Sequence, residues 1–119
     1  MRNFKELKVW QKAHQLVMEV YGITSEFPSD ERFGLTTQRR RSAASVPANI
    51  AEGCGRGSDG ELVRFCQIAL GSASELEYHL LFAHDLGYLQ DAQYFDLHNK
   101  VTEVKRMATA FTKRLKADR

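Results

Sequence analysis

Proline and cysteine are scarce: Pro28, Pro47, Cys54 and Cys66 are all that the 119 residues contain of either type. Two cysteines without a metal-ligand spacing such as C-x-x-C exclude a disulfide scaffold and point to two reduced thiols. No apolar run approaches the roughly 20 residues that a membrane-spanning helix needs. The opening MRNFKELKVW holds no apolar signal-peptide core, so a cytoplasmic location is expected. No segment alternates apolar and polar residues as a half-buried strand would. With 43% hydrophobic and 27% charged residues, the composition is that of an ordinary globular chain, and the length suits one domain over residues 1–119.

What is present is helical period. Leu7, Trp10, Ala13, Val17, Val20 and Thr24 recur at three- or four-residue steps, widened by Leu16 and Ile23, and predict a helix from about Lys5 to Glu26. Phe27-Pro28 ends it, because the residue before proline avoids the helical region. A second helix is expected from near Ser29 to Phe33 as far as Gly53. Ser58-Asp59-Gly60-Glu61 is an S-x-x-E capping box that opens a third, with the stripe Leu62, Phe65, Ala69, Ala73, Leu76, Leu80 and Ala83, and Gly87 as its C-cap. Asp91 is the expected cap of a fourth, whose Tyr94, Leu97, Val101, Val104, Ala108, Phe111 and Leu115 form a bundle seam. Short connections between helices of similar length predict an all-α, antiparallel up-down-up-down four-helix bundle, with the second helix kinked at Pro47.

The motifs that would carry chemistry fail on context. Gly55 to Gly60 fits G-x-G-x-x-G, but a helix precedes it and no βαβ unit follows. A di-iron bundle needs Glu-x-x-His pairs, whereas Glu75 and His79 are four apart and stand alone. His14, His84 and His98 lack that spacing too, and the histidines are expected at the surface or its boundary. No G-x-S-x-G occurs, and neither cysteine has an activating context. No catalytic, metal or cofactor site is therefore expected, and the chain is taken as non-enzymatic.

On a helical wheel at about 100° per residue, Leu35, Ala43, Val46, Ile50 and Gly53 share one face of the second helix. Ala44, Ala48 and Ala51 lie nearly opposite, either as good helix formers on a solvated side or as a small-residue oligomer interface. The run Arg39-Arg40-Arg41 splits over three directions, with Arg39 on the core side and Arg40 and Arg41 facing solvent or an interface. Charge is uneven along the chain: residues 75–99 carry five acids and no Lys or Arg, while residues 100–119 carry seven cations against two acids. Arg40, Arg41, Arg56, Lys105, Arg106, Lys113, Arg114 and Lys116 are the candidates for binding structured RNA or other nucleic acid through phosphates. The acidic 75–99 segment supports the alternative of a protein-interaction scaffold.

Several motifs together carry a resemblance. They are Leu7-x-Val9-Trp10-Gln11-x-Ala13, Phe27-Pro28-x-x-Glu31-x-Phe33-Gly34-Leu35-x-x-Gln38, Arg40-Arg41-x-Ala43, Ser45-Val46-Pro47-Ala48-Asn49-Ile50-Ala51-Glu52-Gly53 and Leu86-Gly87-Tyr88-Leu89. The chain resembles the four-helix bundle proteins encoded in intervening sequences of bacterial 23S ribosomal RNA genes, with Pro47, Asn49, Glu52 and Gly53 as the specific core of the match. The resemblance implies a four-helix bundle that assembles as a homopentamer, with no established reaction. That family is similar in fold to retroelement accessory variability proteins, pentamers thought to bind nucleic acid through a basic surface. Arg39 departs from the family pattern, which has an apolar residue before the arginine pair.

Overall fold

A computed structural model describes residues 2–28 and 32–117. Among these residues four α-helices account for the fold: α1 (Lys8–Thr24), α2 (Thr37–Cys54), α3 (Asp59–Asp85) and α4 (Asp91–Ala117). A 3-10 turn, Phe4–Glu6, precedes α1, and a wider π-type turn, Arg32–Thr36, leads into α2. The first part of the predicted start of the second helix, Ser29 to Glu31, lies outside the described residues. Each helix packs against two others, α1 on α2 and α4, and α3 on α2 and α4, in a body of 47 × 23 × 20 Å. Contacts pair neighbouring helices in opposite chain order. Lys12 meets Glu103 and Glu19 meets Lys100; Arg39 meets His79 and Ser45 meets Ser72.

The stripes explain the core, with one adjustment. The α3 stripe is buried throughout, and so is the α4 seam from Leu97 to Leu115. In α1 the most buried set is Val9, Ala13, Leu16, Val20 and Thr24, while Leu7, Trp10, Val17 and Ile23 pack at its edge. The apolar face of α1 is wide, and contact with both α2 and α4 draws in its Val9–Leu16 side.

The helix ends follow local chemistry. The Ser58 hydroxyl accepts the Glu61 N–H at 3.2 Å, the N-cap bond of the capping box. At the far end Gly87 has φ +84° and donates to the His84 carbonyl, while the Tyr88 N–H reaches the Ala83 carbonyl, a Schellman closure that needs the left-handed backbone glycine adopts freely. Asp91 is not the cap of α4 but its first residue. Gln93 turns back to accept the Gln90 N–H, and the Asp91 carboxylate instead bonds His84.

α2 runs through Pro47 without interruption, and Pro47 is buried. Two residues later, Asn49 Nδ2 donates to the Ser45 carbonyl at 2.8 Å and to the Ser45 hydroxyl at 2.9 Å, and that hydroxyl meets Ser72 of α3 at 2.8 Å. A polar bridge thus crosses from α2 to α3. Further along, a Cβ on Gly53 would stand 2.9 Å from Phe65 Cβ and 3.2 Å from Leu62 Cα, so α3 presses on the α2 backbone there.

Candidate nucleic-acid and assembly surfaces

The three arginines of the run take three environments. Arg39 is fully buried; its Nε donates to the His79 carbonyl at 3.1 Å and its guanidinium lies over the Phe27 ring at 5.0 Å. Arg40 is half-buried. Its Nε donates to the Thr24 hydroxyl at 2.9 Å, Nη2 to the Tyr21 carbonyl at 3.3 Å, and the group stands over the Tyr21 ring. It sits at the C-terminal turn of α1, where a cation complements the negative end of the helix dipole. Arg41 is exposed and has no ion pair among the described residues.

The remaining candidate cations fall at separate places. Arg56, in the α2–α3 turn, pairs with Glu52 at 3.0 Å and lies over Phe65. On α4, Lys105, Arg106 and Lys113 line one open groove of about 450 Å³ with Glu77, Thr102, Thr109 and Ala110. Lys105 gives its ammonium to Glu77 at 2.9 Å. Arg106, Lys113 and Lys116 are exposed, with no ion pair among the described residues. They recur at steps of seven and three along one side of the helix. Arg114 turns instead toward Phe111, whose ring Arg2 also approaches. One chain therefore gathers Lys105, Arg106 and Lys113, extends them with Lys116, and leaves Arg40 at the opposite end of the bundle.

Of the small-residue face, Ala48 is exposed and Ala44 and Ala51 are half-buried. Sequence reasoning missed a second apolar surface. Ile68, Tyr78, Leu81 and Phe82 of α3 and Leu86 just past its end are all exposed. The signal was present as a surplus: these five large apolar residues fall outside the seven-residue core stripe of α3.

The titratable groups give a structural picture. His79 is buried, where a surface or boundary position is expected for the histidines; its ring reaches Glu75 at 3.4 Å and its backbone carbonyl serves Arg39 in the α2–α3 contact. His84 bonds Asp91 at 2.6 Å, sits 3.5 Å from Asp85 and stacks on Tyr94. The Asp91 bond, helped by Asp85, holds the His84 imidazole above its ordinary pKa. Burial raises the Cys54 thiol and pushes Cys66 up to about 11, so both are protonated and unreactive near neutral pH. Among the described residues no group of three His, Cys, Asp or Glu side chains is placed to hold a metal ion, and no helix is long and apolar enough to cross a membrane.

Two comparisons bear on this arrangement. The family described as 23S rRNA-intervening sequence protein matches residues 5–110. A crystal structure from Bacteroides thetaiotaomicron, of a protein with unknown function from the S23 ribosomal protein family, superposes with a TM-score of 0.82. It is 25% identical over 88% of this chain and 95% of that one. No curated protein matches the sequence.

Proposed function

The chain belongs to the 23S rRNA-intervening sequence protein family, and on that premise we propose that it is a non-catalytic, cytoplasmic bundle that assembles with its own copies, as a ring of five, and holds structured RNA or other nucleic acid on its basic α4 surface. The observation that carries this is the uncompensated side of α4. Arg106, Lys113 and Lys116 project into solvent from one stripe, while Lys100 and Lys105 are absorbed by Glu19, Asp96 and Glu77. Free cations at helical spacing suit phosphates, and the Thr102 and Thr109 hydroxyls in the same groove add hydrogen-bonding capacity. Among the described residues no aromatic side chain lines that groove, so little base stacking and little sequence readout are expected. A ring would repeat the stripe and turn a weak patch into a multivalent one.

The test is a gel shift with structured RNA at two salt concentrations. A ring making six or more phosphate contacts should lose roughly a thousandfold in affinity between about 50 and 200 mM salt. Arg106→Glu with Lys113→Glu should abolish the shift, and absence of retardation by the wild type at low salt would refute nucleic-acid binding. A second reading, a protein-interaction module using the acidic 75–99 segment, is favoured by the exposed Tyr78, Leu81, Phe82 and Leu86 inside it. Recovery of a protein partner after nuclease treatment would support it.

A further inference from the structure

The outer side of α3 is the least expected surface of the molecule. Tyr78 is 58% exposed, Leu81 40%, Phe82 36% and Leu86 46%, and together with Asp85 they line a surface groove of about 250 Å³. Ile68, 42% exposed, adds to the exposed apolar surface of α3 nearer its start. Side chains this large, at three- and four-residue steps on one helix, form a contiguous apolar patch of the kind that marks a protein contact. Charge and size say what fits it. Two exposed carboxylates, Glu75 and Asp85, belong to the same outer side, and no lysine or arginine occurs between residues 75 and 99. The occupant should offer a shallow face for aromatic knobs and a cation for the acidic rim.

This chain carries such a face. Arg41, Ala44, Ala48 and Ala51 recur at steps of three, four and three on the outer side of α2. Arg41 is exposed without an ion pair among the described residues. Arg41 to Ala51 extends about 15 Å and Glu75 to Leu86 about 16 Å at about 1.5 Å per residue, so the two stripes match in length. Alanine lets a second helix approach to about 8 Å between axes, the near limit of helix packing. We propose that the α3 stripe of one copy docks on the α2 alanine face of the next. Tyr78 and Phe82 then rest on Ala48 and Ala44, and Arg41 meets the Asp85 carboxylate. The two halves lie on different helices, so the contact is head-to-tail and repeats from copy to copy until a ring closes. This inference rests on the self-assembly proposed above and names the surfaces that perform it.

Light scattering coupled to size exclusion tests it, with circular dichroism to confirm folding. The wild type should run as a multiple of 13.6 kDa. Phe82→Asp damages one half of the contact and Ala48→Trp the other; both positions are exposed, and each variant should fall to one subunit. Mixed together they should form a dimer, because each supplies the half that the other lacks. Arg41→Glu should dissociate the assembly, and Arg41→Glu with Asp85→Lys should restore it. A monomeric wild type at micromolar concentration overturns the self-assembly reading along with this inference. An assembled wild type whose mass is unmoved by Phe82→Asp and Ala48→Trp overturns this inference alone. Failure of the two monomeric variants to pair refutes the head-to-tail geometry. Stripe variants that keep the wild-type mass but shed a co-purified protein assign the stripe to a different partner and also overturn it.

Discussion

The two ends of the bundle are closed by different chemistry. Where α2 passes into α3, closure is by the absence of side chains: Gly53 lets Leu62 and Phe65 lie on the α2 backbone, and the Arg2 N–H reaches the Cys54 carbonyl. Where α1 leaves and α4 begins, closure is by cations. Arg39 is buried between Phe27 and the His79 carbonyl, Arg40 caps α1, and His84 ties the end of α3 to Asp91. Two loop residues, Phe27 and Tyr88, pack ring to ring at 5.6 Å over this second end. A polar closure reaches farther than a tight one, because a long side chain can bridge helices whose backbones stay apart. It also depends more on each partner, since a buried polar group left alone is costly.

The comparison can be broken first at Arg39. Arg39→Ala should destabilise by about 3 kcal/mol or more, since it empties a fully buried volume and removes the charged hydrogen bond to the His79 carbonyl. Arg39→Met keeps most of the volume and should cost distinctly less; equal losses in chemical denaturation would show that packing plays no part. Next comes Gly53→Ala at the tight end, expected to cost about 1–3 kcal/mol by overpacking against Phe65 and Leu62. A neutral or stabilising result there would contradict the close approach. Ser58→Ala removes the N-cap bond of α3 and should cost about 1 kcal/mol, with Ser58→Asp close to wild type.

The smallest effect concerns pH at the cationic end. The folded-state pKa of His84 is raised, above all by Asp91. Its contribution is therefore complete below the ordinary histidine value of about 6.5 and is lost as pH rises through the raised folded value. A thermal melt series from pH 6 to 8 should show this loss in the wild type and not in His84→Ala. An NMR titration giving His84 an ordinary or lowered pKa would remove the clamp.

Much of the fold was legible because its signals are local. Ser58 and Gly87 cap α3 through bonds within a few residues, and the α3 and α4 stripes follow from one period. Asp91 was misassigned because His84, across the turn at the end of α3, takes up its carboxylate. The candidate surfaces were half legible. Spacing puts Arg106, Lys113 and Lys116 on one side of α4, but it takes the fold to show that Lys105 is neutralised by Glu77 of α3. The exposed stripe of α3 escaped because apolar residue types signal avoidance of water without saying which chain covers them.

By itself the sequence determined the helix count, the core faces of α3 and α4, both caps of α3 and the splitting of the three arginines, since these depend on periodicity and on chemistry within a turn or two. Only the tertiary structure decided which charges remain free. The partners of Arg39, Arg40 and Lys105 lie 40, 16 and 28 residues away. Contacts across such separations exist only once the helices have packed, and the cations left over on α2 and α4 are what the assembled surface can use.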